Sequence, residues 1–296
     1  MRAKARAVPM LRTTRAAAVR AALRRWRAGG ARIAYVPTMG AIHAGHVSLV
    51  RRARRTLGPG GRMVASIFVN PLQFGPHEDF RRYPRPLRRD RARLAGAGVD
   101  LLWEPRAADL YPSGHCTRVR VEGLSEVLEG ARRPGHFEGV ATVVAMLLNV
   151  VSPDDLWLGQ KDAQQALLLE RMCRDLGLPV RVRRGPTVRE RDGLACSSRN
   201  AYLAGAERAQ AVALSQGLAA ARRALRDGAR SAAALRRAVR GVWRGYPLVR
   251  EDYVAVVDAR TLDALATVPR GTPVLVAVAA RVGKARLIDN FVWRPR

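Results

Sequence analysis

Apolar positions along the first 185 residues or so alternate between helical and strand-like spacing. Val19, Ala22, Leu23 and Trp26 recur at i, i+3, i+4 and i+7, which is the stripe of an amphipathic helix. Residues 63–69 form instead a continuous apolar run, typical of a strand that is buried on both faces. Because strand-like and helix-like segments keep alternating, the pattern predicts a parallel sheet covered by helices on both faces.

The individual elements follow from the same spacing. Strands are predicted at 33–36 (ended by Pro37), 63–69, 99–103, 155–158 and 180–183. Helices are predicted between a cap at Thr13 or Thr14 and Gly29–Gly30, and at 47–57, 87–97, 139–151 and 162–176.

The pattern changes after Pro186. Two helices rich in alanine and arginine are predicted near 206–226 and 231–244, followed by β-rich segments at 253–257, 273–280 and 286–292. We therefore predict an α/β domain over residues 1–186 and a smaller α+β domain over residues 187–296.

Composition changes this picture only through the charge. Hydrophobic residues make up 48% of the chain and charged residues 26%, which is ordinary for a globular protein. The 53 Lys and Arg against 24 Asp and Glu give a formal net charge of +29, and only Lys4, Lys161 and Lys284 are lysines. A general preference for arginine codons would produce this excess, so the charge is weak evidence for any function.

Cysteines and apolar runs bear on the compartment. Cys116, Cys173 and Cys196 form no C-x-x-C pair, which disfavours a disulfide framework or zinc ribbon and fits a cytoplasmic protein. The longest apolar run, 140–151, is about half the length that spans a bilayer, so we expect no membrane association. The first 30 residues lack acidic side chains, as transit peptides do, but they are poor in serine, so we expect no cleaved presequence.

The segment 37–46, Pro-Thr-Met-Gly-Ala-Ile-His-Ala-Gly-His, is the most informative stretch. It follows a strand and opens a helix, which is where α/β sheets bind ligands. Gly40 and Gly45 allow a ligand close to the backbone, and His43 and His46 lie beside the N–H groups of a helix N-terminus, which suits a phosphate chain. H-x-x-H is also a zinc spacing, and two structural histidines are a further alternative, but no third ligand stands at a recognisable offset.

This segment resembles a known signature. H-x-G-H after a first strand is similar to the nucleotide-binding signature of class I aminoacyl-tRNA synthetases and related nucleotidyltransferases, and the longer form resembles the pantothenate synthetase family. Matching blocks follow in that family's order at 68–75, 83–85, 135–140, 159–165 and 186–200, with C-terminal likenesses at 253–258 and 287–290. The resemblance covers roughly residues 8–293.

The resemblance implies a reaction and an architecture. (R)-pantoate and ATP would give pantoyl adenylate and pyrophosphate, and β-alanine would then displace AMP to form pantothenate. The fold would be a Rossmann-like parallel sheet with a smaller C-terminal domain closing over the active site, and the assembly a homodimer. Because an anion attacks a triphosphate, positioning and charge neutralisation must lower the barrier.

The resemblance also assigns the nucleotide contacts. His43 and His46 would contact phosphates, with His46 the better candidate for donating a proton or hydrogen bond, and Lys161 would supply a compact ammonium. Ser197, Ser198 and Arg199 would clamp phosphates, although alone they would pass as a turn or helix cap. The remaining implied nucleotide contacts are Met39, Gly40, Ala41, Ile42, Ala44, Gly45, Gly159 and Asp162 (ribose), Gln160, the Val188 backbone (adenine) and Cys196.

Pantoate and magnesium would use other residues. Gln73 and Gln165 would fix pantoate, since an amide both donates and accepts hydrogen bonds. Mg²⁺ is expected with ATP, and Asp90 is its candidate ligand. His136 and Phe137 would shape the cavity, and His77 and His115 are placed in loops without a role. Ala163 and Cys196 depart from the family's usual aromatic and methionine at positions that pack beside the nucleotide.

Two alternatives stay open on the sequence. One is a related ligase or nucleotidyltransferase that acts on another carboxylate. The other is a nucleic-acid-binding protein, since the first 77 residues carry 15 basic and no acidic side chains. Against the second, aromatic residues are only 5%, no stacking motif is present and the arginines are dispersed, so we expect no specific nucleic-acid partner.

Overall fold

The computed structural model describes residues 9–76 and 78–294. The placement of His77 in a loop lies outside these residues, as do the first eight residues of the segment considered as a presequence. Within the described ranges, no helix combines the length and the apolar character needed to cross a membrane.

A six-stranded sheet forms the first part of the fold. Its strand order is β1-β4-β3-β2-β5-β6, and the pairs β1–β4, β4–β3, β3–β2 and β2–β5 are parallel. The strands are β1 (Leu11–Thr13), β2 (Ile33–Thr38), β3 (Arg62–Ile67), β4 (Leu101–Trp103), β5 (Asp155–Gly159) and β6 (Arg181–Gly185). The helices between them are α1 (Ala16–Ala28), α2 (Ala44–Leu57), α3 (Leu87–Ala97), α4 (Ala107–Leu110), α5 (Glu129–Arg132), α6 (His136–Val151) and α7 (Ala163–Asp175).

Both faces of this sheet are buried. Ala34 and Val36 of β2 pack into one apolar cluster with side chains of α2 and α3. The intervening Tyr35 is equally buried, and its hydroxyl lies 2.6 Å from the Ser66 hydroxyl of β3. Because successive strand residues point to opposite faces, helices must cover both, and α1 and α6 pack together on the second. The predicted fold class is confirmed.

A three-stranded antiparallel sheet forms the second part. Its order is β7-β8-β9, and helices α9 and α10 pack on each other and on the sheet. Gly217 permits the close approach of the two helices, because a Cβ there would lie 2.8 Å from Trp243 Nε1 and 2.9 Å from a Val239 methyl. The elements are α8 (Gly205–Gln210), α9 (Ala213–Arg226), α10 (Ala232–Trp243), β7 (Val249–Asp258), β8 (Val274–Val282) and β9 (Ala285–Trp293).

The chain divides into two compact units. The first comprises the residues up to 121 together with 133–158 and 168–185, and the second comprises 122–132, 159–167 and the residues from 186 onward. Two short segments from the predicted first domain, residues 1–186, therefore group with the C-terminal residues, which the sequence pattern does not suggest. The closing of a C-terminal domain over the active site stays a prediction.

The sequence pattern does not predict β1, α4 or α5, and some of the elements that it does predict differ in detail from the observed ones. Strand β2 continues through Pro37 to Thr38, because β5 pairs only with Ala34 and Tyr35 and needs no N–H from the proline. The helix predicted at 206–226 is two helices, α8 and α9. Helix α1 has Arg15 rather than a threonine as its N-cap.

Candidate active site

The loop between β2 and α2 is tied to the sheet by Thr38. Its hydroxyl donates to the Ser66 carbonyl at 2.8 Å and accepts the Gly40 N–H at 3.1 Å. Gly40 has a φ of +80°, and a Cβ on it would lie 3.1 Å from an Ile67 methyl and 3.2 Å from Asp90 Oδ2. Glycine is therefore required here both for its conformation and for the close approach of its neighbours.

Asp90, in the first turn of α3, anchors the same loop. Its side chain is fully buried; Oδ2 accepts the Ala41 N–H at 2.7 Å and Oδ1 accepts the Ile42 N–H at 2.8 Å. Arg93 adds a hydrogen bond to the Ile42 carbonyl. Asp90 is thus the acceptor for two backbone donors that would otherwise be buried without partners.

This geometry speaks against Asp90 as the magnesium ligand. Each of its oxygens already accepts a backbone hydrogen bond and the side chain is fully buried, so the carboxylate is engaged in holding the loop. Across residues 9–76 and 78–294, no group of three or more His, Cys, Asp or Glu side chains could hold a metal. The sequence places an acidic side chain shortly after Tyr83-Pro-Arg85 but does not show that this side chain is fully buried.

Helix α2 begins at a pair of stacked histidines. His43 is the N-cap: its Nδ1 accepts the Gly45 N–H at 3.1 Å, while His46 Nδ1 faces the His43 N–H at 3.4 Å. The ring centroids are 4.1 Å apart. Because Nδ1 is the acceptor in both rings, the proton of each neutral imidazole resides on Nε2, which makes Nε2 the donor. Two such donors beside a helix N-terminus whose first turn contains no acidic residue suit an anion.

Gln73 is held in a 3-10 turn that follows β3. Its side chain is buried, with Nε2 donating to the Met39 sulfur at 2.7 Å and Oε1 accepting from Asn70 Nδ2 at 3.3 Å. Its carbonyl lies 2.8 Å from His136 Nδ1. Arg133 donates to His136 Nε2 at 3.0 Å, so Nδ1 carries the His136 proton and donates it to Gln73. His136 therefore positions the Gln73 backbone.

Lys161 lies in the 3-10 turn formed by residues 160–162, which we call the lysine turn. Its ammonium is 3.1 Å from Asp162 Oδ1, and 18% of its side chain is exposed. Asn290 of β9 donates to the Gln160 carbonyl at 3.1 Å and to the Lys161 carbonyl at 2.8 Å. Gly159 ends β5 immediately before this turn.

The start of α7 follows the lysine turn directly. Ala163 is buried, and Gln165 in the first turn of α7 is half-buried. Gln164 is buried instead, donating to the Leu124 and Val127 carbonyls at 2.8 Å and accepting the Glu129 N–H at 3.0 Å. Of the two glutamines, Gln164 is therefore held by protein groups, whereas Gln165 is partly exposed.

Residues 186–200 begin as a short antiparallel pair. The Cys196 N–H donates to the Val188 carbonyl at 2.9 Å, and Cys196 itself is buried. Ser197 caps a 3-10 turn at Ser198–Tyr202 by accepting the Arg199 N–H at 3.2 Å. Ser197, Ser198 and Arg199 are half-buried. Ser197 therefore caps this turn, as the alternative interpretation of the motif as a turn or helix cap predicts.

The structure adds supporting residues that sequence reasoning did not assign. Asn70 and Arg133 hold Gln73, and Asp289 forms a bidentate ion pair with Arg189 at 2.5 and 3.0 Å. Asn290 holds the lysine turn. Three of these buried residues lie inside the matched sequence blocks, namely Asn70, Asp289 and Asn290. Their place in those blocks is the sequence feature that could have identified them.

Comparison with known proteins places this chain. A family model described as Pantoate-beta-alanine ligase matches residues 12–292. The chain belongs to the pantoate–β-alanine ligase family. The pantothenate synthetase of Herpetosiphon aurantiacus, for example, is 50% identical over 274 residues, which cover 93% of this chain and 96% of that protein.

Solved structures of this family agree. Pantothenate synthetase from Thermus thermophilus has a TM-score of 0.89 at 49% identity, over 95% of this chain and 99% of that one. Pantoate-beta-alanine ligase from Francisella tularensis, complexed with beta-gamma ATP and beta-alanine, has a TM-score of 0.76 at 31% identity, over 96% of this chain and 97% of that one. The family likeness therefore extends over nearly the whole chain.

Proposed function

We propose that this chain condenses (R)-pantoate with β-alanine at the expense of ATP. A pantoate carboxylate oxygen attacks the α-phosphorus, the bond to the bridging oxygen breaks and pyrophosphate leaves. The β-alanine amine then attacks the acyl carbon of pantoyl adenylate, and AMP leaves. The observation that carries the proposal is the histidine pair on the N-terminus of α2, in a chain matched by the family over residues 12–292.

The histidines act on the phosphates. His43 and His46 each present an Nε2–H donor, and the N-terminal dipole of α2 favours the same negative charge. His46 donates a hydrogen bond to the oxygen on which charge develops as pyrophosphate departs. Met39, Gly40, Ala41, Ile42, Ala44 and Gly45 complete the nucleotide contacts of this loop.

The second group of residues neutralises and orients the nucleotide. Lys161 offers a compact ammonium to phosphate oxygens, for which it exchanges its contact with Asp162. Gly159 and Asp162 bind the ribose hydroxyls, and the Val188 backbone faces adenine. The remaining contacts in this group are Gln160, Cys196, Ser197, Ser198 and Arg199, of which the last three clamp phosphates.

Gln73 and Gln165 bind pantoate through their amides. Gln73 donates at present to the Met39 sulfur, which is a weak acceptor. Replacing that contact with a pantoate hydroxyl or carboxylate oxygen loses little and gains a stronger hydrogen bond. The Asn70 and His136 contacts keep the turn in place during this exchange.

Three further features belong to the same proposal. Mg²⁺ accompanies ATP as the counterion of its phosphates, since magnesium commonly binds through substrate phosphates and few protein ligands. Asp90 holds the loop before α2 through two backbone N–H groups instead. The assembly is a homodimer, which size-exclusion chromatography with light scattering tests. The location is the cytoplasm, which fractionation of the producing cells tests.

A single-turnover assay tests the reaction. Enzyme in excess over ATP is mixed with magnesium and pantoate, and pyrophosphate is followed with and without β-alanine. We expect a stoichiometric pyrophosphate burst without the amine, and release of AMP and pantothenate in equal amounts once it is added. A burst with other hydroxy acids but not with pantoate would retain ATP activation and overturn the roles of Gln73 and Gln165. No burst with any acid, from folded protein, would overturn the proposal.

A further inference from the structure

Asn290 is a buried amide on β9 whose side chain is directed to one turn. It is 5% exposed, and β9 places it opposite Ala277 of β8. Both Nδ2 protons are used, one on the Gln160 carbonyl at 3.1 Å and one on the Lys161 carbonyl at 2.8 Å. Its Oδ1 accepts from Gln160 Nε2 at 3.1 Å. One side chain thus makes three hydrogen bonds to two successive residues of the lysine turn.

The strand that carries Asn290 is itself held in place by Asp289. Asp289 Oδ1 accepts the Asn290 N–H at 2.8 Å, and the same carboxylate pairs with Arg189. Asp289 is 2% exposed. The amide of Asn290 therefore projects from a backbone that is held by the β8 ladder and by a partly buried ion pair, so it is a rigid support rather than a mobile contact.

We propose that Asn290 is a positioning residue for Lys161. The inference rests on the proposed function, in which the Lys161 ammonium neutralises phosphate charge. The main chain of a short 3-10 turn determines where the lysine side chain starts. Asn290 holds that main chain on both sides of the Lys161 α-carbon, through the Gln160 and Lys161 carbonyls. Electrostatic stabilisation depends on placing such a charge before the reaction, and a misplacement of about 1 Å can reduce a rate by about 100-fold.

The substitutions distinguish placement from simple packing. Asn290→Ala removes all three hydrogen bonds to the turn, while Asn290→Asp keeps the shape but sets a carboxylate oxygen against the Gln160 and Lys161 carbonyls. We expect both to slow the pyrophosphate burst, by about 10- to 100-fold for alanine, with the apparent ATP affinity changed less than the rate. Leu287→Ala is the matched control, because Leu287 is a buried side chain of the same strand and packs in the core of the second unit.

A double-mutant cycle gives the decisive measurement. Burst rates are measured with labelled ATP for wild type, Asn290→Ala, Lys161→Ala and the double variant, below every melting temperature. If Asn290 acts through Lys161, its substitution has little further effect once the lysine side chain is gone. In a second cycle, Lys161→Arg replaces Lys161→Ala. Because arginine retains the positive charge, the burst rates of these variants stay high enough to measure.

The outcomes separate the two proposals. Equal fold-losses from Asn290→Ala in the wild-type and Lys161→Ala backgrounds would overturn the positioning role, as would an equal loss in Leu287→Ala at a similar melting temperature. An Asn290→Ala variant with the wild-type burst rate would overturn it too. Absence of a burst in the wild-type protein would instead overturn the proposed function.

Discussion

Ala41 donates its backbone N–H to Asp90 Oδ2 across 2.7 Å while it adopts a φ of +48°. That conformation is disfavoured for a residue with a side chain, so the surrounding contacts must stabilise it. The second Asp90 oxygen accepts the Ile42 N–H, and His43 begins the capped helix one residue later. Asp90 therefore determines the path by which the chain enters the histidine pair.

Asp90→Asn should destabilise the protein without any metal present. The amide keeps the shape but replaces one acceptor with a donor that faces a backbone N–H, and leaving a buried donor unsatisfied costs about 1–3 kcal/mol. Urea unfolding in EDTA measures this change in the free energy of unfolding. Asp175→Asn is the control: its side chain is 56% exposed, so we expect a change within about 0.5 kcal/mol.

A magnesium ligand would behave differently. Asp90→Asn would then leave the metal-free stability near that of wild type, and the variant would need more magnesium for the pyrophosphate burst. That combination would contradict the anchoring role of Asp90.

Lys161→Ala and His46→Ala should each reduce the rate of adenylate formation by orders of magnitude with the fold intact. The ammonium and the Nε2–H donor act on charge that develops on phosphate oxygens, and removal of one donor to such charge costs about 100- to 1,000-fold. The pyrophosphate burst measures the rate, and circular dichroism with thermal melting checks the fold.

Two side chains outside the proposed site serve as controls. Lys284→Ala removes an exposed lysine, and His115→Ala removes a half-buried loop histidine. Both variants should keep near-wild-type burst rates. Near-full activity in Lys161→Ala or His46→Ala would show that the role assigned to that residue is wrong.

The order of most elements could be predicted from the sequence because apolar periodicity reports burial directly. The exceptions are β1, α4 and α5, which have three or four residues each and are too short to show a period. Helix α3 was predicted at its observed bounds, 87–97, and the continuous apolar run at 63–69 became the doubly buried β3. Periodicity carried no information about Asp90 or Asn290, since their partners are backbone groups 48 or more residues away in the chain. Such polar contacts depend on tertiary structure, so the sequence alone does not distinguish an acidic residue that anchors a loop from one that binds a metal ion.

Gly139→Ala should destabilise the protein and disturb Gln73. A Cβ at Gly139 would lie 2.3 Å from the Leu72 carbonyl oxygen and 2.7 Å from the Gln73 nitrogen, both of which are backbone atoms that no rotamer change can move. Overpacking of this kind costs about 1–3 kcal/mol. Urea unfolding measures the loss, and the apparent affinity for pantoate should weaken more than that for ATP.

Gly96→Ala provides the matched control for this change. Gly96 is in helix α3, and a Cβ there would meet nothing within 4 Å. The substitution should stabilise the protein by about 0.4–1 kcal/mol, because alanine restricts the unfolded chain. Equal effects of the two substitutions would show that the contact between Gly139 and residues 72–73 is not the cause.

Tyr253 should make stability fall at alkaline pH. Its hydroxyl donates to Glu129 Oε1 at 2.8 Å, and Glu129 also accepts from Arg286. Burial, and then the nearby Glu129 charge, raise the pKa of Tyr253 well above its usual value. The phenol therefore stays protonated in the folded state while it loses its proton near pH 10 when unfolded, so its contribution is complete below about pH 10 and decreases above it.

Comparison with Tyr253→Phe isolates this contribution. At pH 8 the variant should be less stable by about 1 kcal/mol, the net value of one hydrogen bond. Above pH 10 the wild-type advantage should shrink by up to about 1.4 kcal/mol per pH unit, since one proton separates the two states. Because Tyr35 and Tyr111 are common to both proteins, their own raised pKa values cancel in the difference. Urea unfolding between pH 8 and 11 measures it, and a difference that stays constant with pH would contradict the raised pKa of Tyr253.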